Sequence, residues 1–382
     1  MADKRALKTP YYLCEETLLE KNLQLLADVQ KRSGAKIILA LKGFAMWSTF
    51  PIVAKYLKGC TASGLYEARL AKEEFLKYNF EAEVHTYSPA FKEEEIKSIA
   101  KLSNHIIFNS PNQLKKFIGK VKEYNSKIHI SLRINPEISA SPVDIYNPCG
   151  LYSRLGTTMK NFDESVLEHL DGLNFHALCE QDVDALEEVL TAFEERFSPY
   201  FKNLKYINFG GGHHITKEGY DVEKLIKLIK RFREKYNLDV YLEPGEAVGW
   251  ETGYLCASVL DIFENGMNVA ILDTSAEAHM PDTLAMPYRA KVRDAGKAGE
   301  KKYTYRLGGN TCLAGDIMGD YSFDKPLQIG DTIIFEDQIH YTFVKNTTFN
   351  GIKLPSLVLK KKDGTTEIVK EFGYEDYKGR LS

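Results

Sequence analysis

Lys42 closes the apolar run Ile37-Ile38-Leu39-Ala40-Leu41, a position where an ammonium is costly to bury. Such a group emerges into solvent, finds a partner, or gives up its proton and becomes a nucleophilic amine. Three further runs end in polar or backbone groups of chemical interest. His176 follows Leu173–Phe175, Gly210-Gly211-Gly212 follows Tyr206–Phe209, and Glu243-Pro244-Gly245 follows Val240–Leu242. Each has a plain structural reading as a core histidine, a tight strand-to-helix turn, or a helix start. As a set they offer an amine, a flat ring, backbone amides that can approach an anion, and a carboxylate.

The surrounding pattern decides whether these groups can meet. A short strand at Tyr11–Cys14 precedes a helix over Glu16–Arg32 with a leucine face. Strand-like runs then follow at Ile37–Leu41, Ala82–Tyr87, His105–Phe108, Ile128–Ile134, Leu173–Ala177, Tyr206–Phe209 and Val240–Leu242. Helical segments lie at Phe50–Tyr56, Tyr66–Lys77, Glu93–Lys101, Pro111–Glu123, Asp182–Phe197 and Val222–Lys235. Alternation over that length specifies a parallel sheet, and a (β/α)₈ barrel with its chemistry at the strand C-termini is the expected form. A doubly wound open sheet is the alternative, although no G-x-G-x-x-G follows an early strand. From about Tyr254 the segments become short and β-rich: Leu255–Phe263, Tyr303–Arg306, Thr332–Phe335, Tyr341–Phe343 and Ser356–Leu359. Asn265-Gly266, Asn350-Gly351 and Asp363-Gly364 suit hairpins or turns, and Arg293–Lys302 reads as a surface loop. The expected class is therefore α/β: a TIM-like barrel over residues 26–254, and a mostly antiparallel β domain over 255–382 that residues 1–25 complete. On one barrel, the four groups match the needs of pyridoxal phosphate: an amine, a ring stacker, a phosphate cradle and a partner for the ring nitrogen.

Composition narrows the partners. A net charge of −3 excludes an overall basic nucleic-acid footprint and mildly favours a cationic substrate. The six cysteines lack C-x-x-C pairs or zinc spacing, which points to free thiols, no metal and a reducing, cytoplasmic setting. The first ten residues have no signal-like apolar core, and no run is long enough to span a membrane.

In this order and spacing the motifs resemble the fold-type III pyridoxal-phosphate decarboxylases, which include ornithine and diaminopimelate decarboxylases and share the architecture of alanine racemase. The resemblance runs from Thr9 to Tyr341. It implies that Lys42 carries the cofactor, His176 stacks on its ring, and Gly210, Gly211 and Gly212 hold its phosphate. Glu243, in Glu-Pro-Gly245, would keep the pyridine nitrogen protonated, with Arg133 in support and Tyr341 on the phosphate. Cys312, in Thr311-Cys-Leu-Ala-Gly-Asp316, matches the family's C-x-x-x-D segment, a general acid lent across a homodimer interface.

Departures from the pattern bear on substrate. Where diaminopimelate enzymes carry an Arg-Pro pair for a distal carboxylate, Asp273-Thr-Ser-Ala-Glu-Ala-His-Met-Pro-Asp282 ends in Pro-Asp, which favours a distal ammonium. Leu313 replaces an acid after the cysteine, and Glu246 replaces a phosphate-binding arginine. Glu67 aligns poorly with the family's acidic position and receives no role. The signatures His279-Met-Pro-Asp282, Met286-Pro-Tyr-Arg289, Gly309–Asp316 and Asn346–Gly351 resemble the carboxynorspermidine/carboxyspermidine decarboxylase branch. That likeness implies a carboxylated polyamine as substrate, with Asp316, Asp282, Glu246, Glu277 and His279 as its contacts. Another basic amino acid (diaminopimelate, ornithine, lysine or arginine) is the alternative substrate, and an inactive binding relative the alternative function.

Overall fold

The Lys42 run forms the seam of a closed parallel barrel. The computed structural model describes residues 7–138, 141, 143–286 and 288–382. The first six residues, and Pro287 of the Met-Pro-Tyr-Arg motif, lie outside them. The chain divides into two compact units, one of Met1–Leu19 with Gly249–Ser382 and one of Glu20–Val248.

In the second of these, the parallel sheet begins on Lys36–Ile37 and passes through Asp239–Leu242, Tyr206–Asn208, Gly172–Phe175, His129–Ile134, His105–Phe108, Glu83–Tyr87 and Gly59–Ala62. It ends on Leu39–Ala40. Its two ends are halves of one stretch, so the ring closes: the Ile38 N–H donates to the Leu242 carbonyl (3.0 Å) and the Leu41 N–H to the Thr61 carbonyl (3.1 Å). Closure rules out the open-sheet alternative. It also explains the composition of the run, because Ile37 through Leu41 pack against neighbours on both faces and are almost wholly buried. The helices outside the sheet carry ordinary stop and start signals. Ser110 caps Pro111–Tyr124 by accepting from the Gln113 N–H, and Asp221 caps Val222–Tyr236 by accepting from that of Lys224. The helix expected over Tyr66–Lys77 is instead an α segment, Leu65–Leu70, running into a π segment, Ala71–Phe75.

The N-terminal ends of the strands hold a partly buried polar network. Tyr241 donates to Glu83 Oε2 (2.8 Å), Lys36 donates to Tyr241 Oη (2.8 Å), and His85 and His105 stack with centroids 3.8 Å apart. Burial pushes the Glu83 carboxyl up, but His85, Tyr241 and Lys36 outweigh it and hold the group at about 2. A depressed acid stabilises the fold above its unfolded pKa, near 4.5, and loses that contribution as pH falls toward 2. Glu83→Gln should therefore cost on the order of 2 kcal/mol at pH 7, allowing for partial exposure. In urea titrations the gap from the parent protein should shrink as pH drops through that window.

In the other unit, Tyr11–Glu15 lies between Gly253–Glu264 (antiparallel) and Ser356–Lys360 (parallel). Asn268–Leu272, Tyr303–Gly308, Ile317–Phe323, Thr332–Glu336 and Thr366–Lys370 extend a sheet whose pairings are mostly antiparallel. Asn265-Gly266 and Asp363-Gly364 do turn hairpins. One expectation is corrected: Tyr341–Phe343 is part of a helical turn, Tyr341–Val344. Asn350-Gly351 is a turn, as expected, of 3₁₀ form with φ of 56° and 74°. Within the expected loop at Arg293–Lys302, Gly296–Lys297 pairs briefly with Ile317–Phe323.

Candidate active site

The barrel strands deliver four of the expected residues, Lys42, Arg133, His176 and Glu243, to one cavity of 230 Å³ at their C-terminal ends. Lys42 stands two residues beyond Leu39–Ala40, in a turn packed so closely that a Cβ on Gly43 would lie 2.9 Å from the Glu246 nitrogen. A Cβ on Gly245 would meet the Ala40 carbonyl at 2.9 Å, so both glycines are needed to bring the amine and the Glu243 turn together. The Lys42 side chain is exposed to the cavity, yet the protein around it strips water from its ammonium. That desolvation, then the charge of Arg133, lowers its pKa from the ordinary lysine value against the opposing pull of Glu243, Cys179 and Glu67.

His176 follows Gly172–Phe175 directly. Burial, then the charges of Lys42 and Arg133, holds its pKa well below the usual histidine value, so the ring is neutral at pH 7. The Gly211 N–H donates to its Nδ1 (3.1 Å), which leaves the ring proton on Nε2. Arg133, on His129–Ile134, donates to the His176 carbonyl (3.1 Å) and lies 4.6 Å from the centre of the Tyr87 ring. Glu243 caps Asp239–Leu242, and Asn208 Nδ2 donates to its Oε1 (2.7 Å).

The glycine stretch also serves the packing of the strand ends. Gly210 and Gly212 have φ of 70° and 84°, and a Cβ on Gly211 would lie 2.4 Å from the Glu243 carbonyl. These residues let three strand ends converge. Two of their three N–H groups donate inside the protein, Gly210 to Asn208 Oδ1 (2.8 Å) and Gly211 to His176 Nδ1. Glu246 lies 3.4 Å from His214 Nε2.

Sequence reasoning missed Asn208, Asn174 and Arg154. The two asparagines fall inside the strand-like runs Leu173–Ala177 and Tyr206–Phe209, where nothing in the pattern sets one polar residue apart. Arg154 falls in the irregular segment before Gly172, where no periodicity marks it.

The remaining expected residues lie in the sheet unit. Cys312 is exposed, and its N–H donates to Asn350 Oδ1 (2.7 Å). Asp316 is buried, accepting through Oδ1 from the N–H groups of Ala276 (2.7 Å) and Glu277 (3.3 Å). Its Oδ2 accepts from the Thr311 N–H (3.1 Å) and hydroxyl (2.6 Å). Asp282 pairs with Lys345. His279 has no exposed surface; it faces the Thr274 hydroxyl through Nδ1 (3.0 Å), and burial lowers its pKa to about 4. Glu277 differs from these: its Oε2 is buried without a hydrogen-bond partner among the described residues, and burial followed by the Asp316 charge raises its pKa. Tyr341 is half-buried on its helical turn.

The model of the family described as "Pyridoxal-dependent decarboxylase, C-terminal sheet domain" matches residues 87–338. The chain belongs to the pyridoxal-dependent decarboxylases. It is 56% identical to a carboxynorspermidine/carboxyspermidine decarboxylase of Campylobacter jejuni, covering 97% of this chain and 98% of that one. It is 43% identical to a carboxyaminopropylagmatine decarboxylase of Synechocystis, covering 98% and 96%. The crystal structure of C. jejuni carboxynorspermidine decarboxylase complexed with norspermidine superposes with a TM-score of 0.91 at 54% identity, covering 98% of this chain and all of that one. The barrel cavity fits the family's cofactor. Its lining sets Lys42, Arg133 and Arg154 against the single carboxylate of Glu243, a surplus that suits a phosphate monoester. An amine of lowered pKa suits capture of an aldehyde, and a neutral imidazole suits packing against a pyridine ring.

Proposed function

We propose that the chain is a decarboxylase of carboxynorspermidine and carboxyspermidine, releasing norspermidine or spermidine in polyamine biosynthesis. The observation that carries this reading is the 56% identity to the C. jejuni protein of that name along nearly the full length of both chains. The working unit in this reading is a cytoplasmic homodimer with shared sites.

Pyridoxal phosphate, when bound, supplies the electron sink that accepts the bonding pair left as carbon dioxide departs. The residues do the rest. Lys42 offers its amine, whose pKa the site lowers, as the attachment point. Glu243, its Oε1 steadied by Asn208, holds a proton at the ring nitrogen. His176 packs as a neutral ring, fixed through Nδ1 by Gly211 and through its carbonyl by Arg133. Arg133, Arg154 and Gly212 are the groups we assign to the phosphate end. Cys312 of one subunit donates a proton from Sγ to the α-carbon of substrate bound in the other. Cys312→Ala should lower kcat about 10²-fold while the visible absorbance of bound cofactor is retained; an unchanged kcat removes the thiol from the scheme.

Among the acids expected to meet the distal amines, Glu277 is the one we favour, because it has a buried oxygen without a hydrogen-bond partner among the described residues. Its carboxyl is pushed up, so it loses charge at a higher pH than an ordinary glutamate. KM for the triamine should rise as pH falls toward the carboxylate range, and Glu277→Gln should flatten that rise. A profile unaltered by the substitution assigns the amine contact elsewhere.

The 43% identity to the Synechocystis protein favours carboxyaminopropylagmatine as a second reading. Product analysis with carboxynorspermidine, carboxyspermidine, carboxyaminopropylagmatine, ornithine and diaminopimelate tests both. The first two differ by one methylene, worth about 1–3 kcal/mol, so both should turn over. Turnover confined to ornithine or diaminopimelate would overturn the proposal. Holoprotein that turns over none of the five would point to the inactive binding relative.

A further inference from the structure

We infer that Asp316 and Asn350 are positioning residues that preset the Cys312 loop, and that Asp316 makes no contact with the substrate's amines; the functional part of this rests on the reading of Cys312 as the acid.

An ionised carboxylate has about four acceptor sites. Asp316 fills that capacity with the N–H groups of Ala276, Glu277 and Thr311 and the Thr311 hydroxyl, at 2.6–3.3 Å. It is 4% exposed, and no acceptor site is left for an ammonium. Its main chain closes the same loop: the Gly309 N–H donates to the Asp316 carbonyl (2.8 Å) and the Asp316 N–H to that of Leu313 (3.0 Å). Gly309 must lack a side chain for this, since a Cβ there would lie 2.2 Å from Asp316 Oδ2.

The second hold comes from the Asn346-Thr-Thr-Phe-Asn-Gly351 motif, whose purpose the proposed chemistry left open. Asn350 adopts φ of 56°, a conformation that asparagine and aspartate tolerate well, and from there Oδ1 accepts the Cys312 N–H at 2.7 Å. The motif is itself anchored, because the Thr347 N–H donates to the Ala278 carbonyl (2.7 Å), one residue beyond the segment that Asp316 grips. Asn310 returns to that segment through the Thr274 carbonyl (3.0 Å). Residues 274–278, 309–316 and 346–351 are thus laced into one frame, with the Cys312 thiol exposed at its edge. With its N–H tied, the thiol sweeps only the positions that χ1 rotation allows. A general acid gains from that restriction, since small displacements are costly in rate.

The test uses three variants of the holoenzyme. Asn350→Gly keeps a backbone suited to positive φ and removes only the acceptor, whereas Asn350→Asp retains it. Asp316→Asn puts an N–H₂ against donors. Asn350→Gly and Asp316→Asn should each lower kcat about tenfold or more, with KM for the carboxylated triamine within twofold. Both should change the rate of Cys312 alkylation by iodoacetamide, read by peptide mass spectrometry, at least threefold. Asn350→Asp should restore both values, a rescue that a general loss of stability would not give. A tenfold rise in KM for Asp316→Asn with normal alkylation would make Asp316 a substrate contact and overturn the inference. So would unchanged alkylation in both disruptive variants. Cys312→Ala runs alongside: full activity there removes the acid reading alone, and the alkylation rates still decide whether the frame holds the thiol.

Discussion

Replacing Lys42 with alanine should lower kcat by at least about 10³-fold, the scale on which loss of a covalent or proton-transferring group acts. The variant should lose the visible absorbance of covalently held cofactor while keeping its fold, because the side chain is exposed in a cavity and contributes little packing. The environment of the amine adds a sharper expectation. Loss of hydration to the surrounding protein, then the Arg133 charge, lowers its pKa, so apoprotein should capture pyridoxal phosphate with a pH midpoint below that of free lysine, near 10.4. Removing one of those influences moves the midpoint in a known direction. Arg133→Met should shift it upward, toward the free amine, when capture is followed spectroscopically across pH. A downward shift, or none, would mean that the guanidinium does not act on Lys42.

Glu243→Gln should be nearly as damaging, about 10²–10³-fold in kcat, with substrate KM little changed. A carboxylate can hold a proton at a neighbouring ring nitrogen, whereas an amide cannot stabilise that charge, so the loss falls on the chemical step. Asn208 supplies a graded control. It donates to Glu243 Oε1 at 2.7 Å and accepts the Gly210 N–H at 2.8 Å, so Asn208→Ala unties both Glu243 and the glycine turn. We expect about a tenfold loss there, since one hydrogen bond to a charged group is worth roughly 1.5–3 kcal/mol and the carboxylate itself remains. If Glu243→Gln and Asn208→Ala cost the same, Glu243 acts through the turn and not through its charge.

What the sequence disclosed, and what it hid, follows from how each signal arises. The barrel was legible because burial on both faces forces long apolar runs, and Ile37–Leu41 is such a run. Lys42, His176 and Glu243 stood out because each polar group interrupts a run where a barrel places its chemistry. Tyr341–Phe343 misled because aromatic and β-branched residues suit a strand, while tertiary context winds Tyr341–Val344 into a helical turn. Asp316 has the composition of an amine ligand, and only the coordinates reveal four donors around its carboxylate. Gly210-Gly211-Gly212 shows the same limit. Conformational freedom can be read from glycine, but the partner that receives each N–H cannot.

The most direct measurement is borohydride reduction of the holoprotein, followed by proteolysis and mass mapping of the fixed cofactor. A single pyridoxyl adduct on the peptide containing Lys42 is the expected result. An adduct on any other lysine, or no adduct on a protein that still decarboxylates carboxynorspermidine, would contradict the assignment of the barrel cavity as the reacting site.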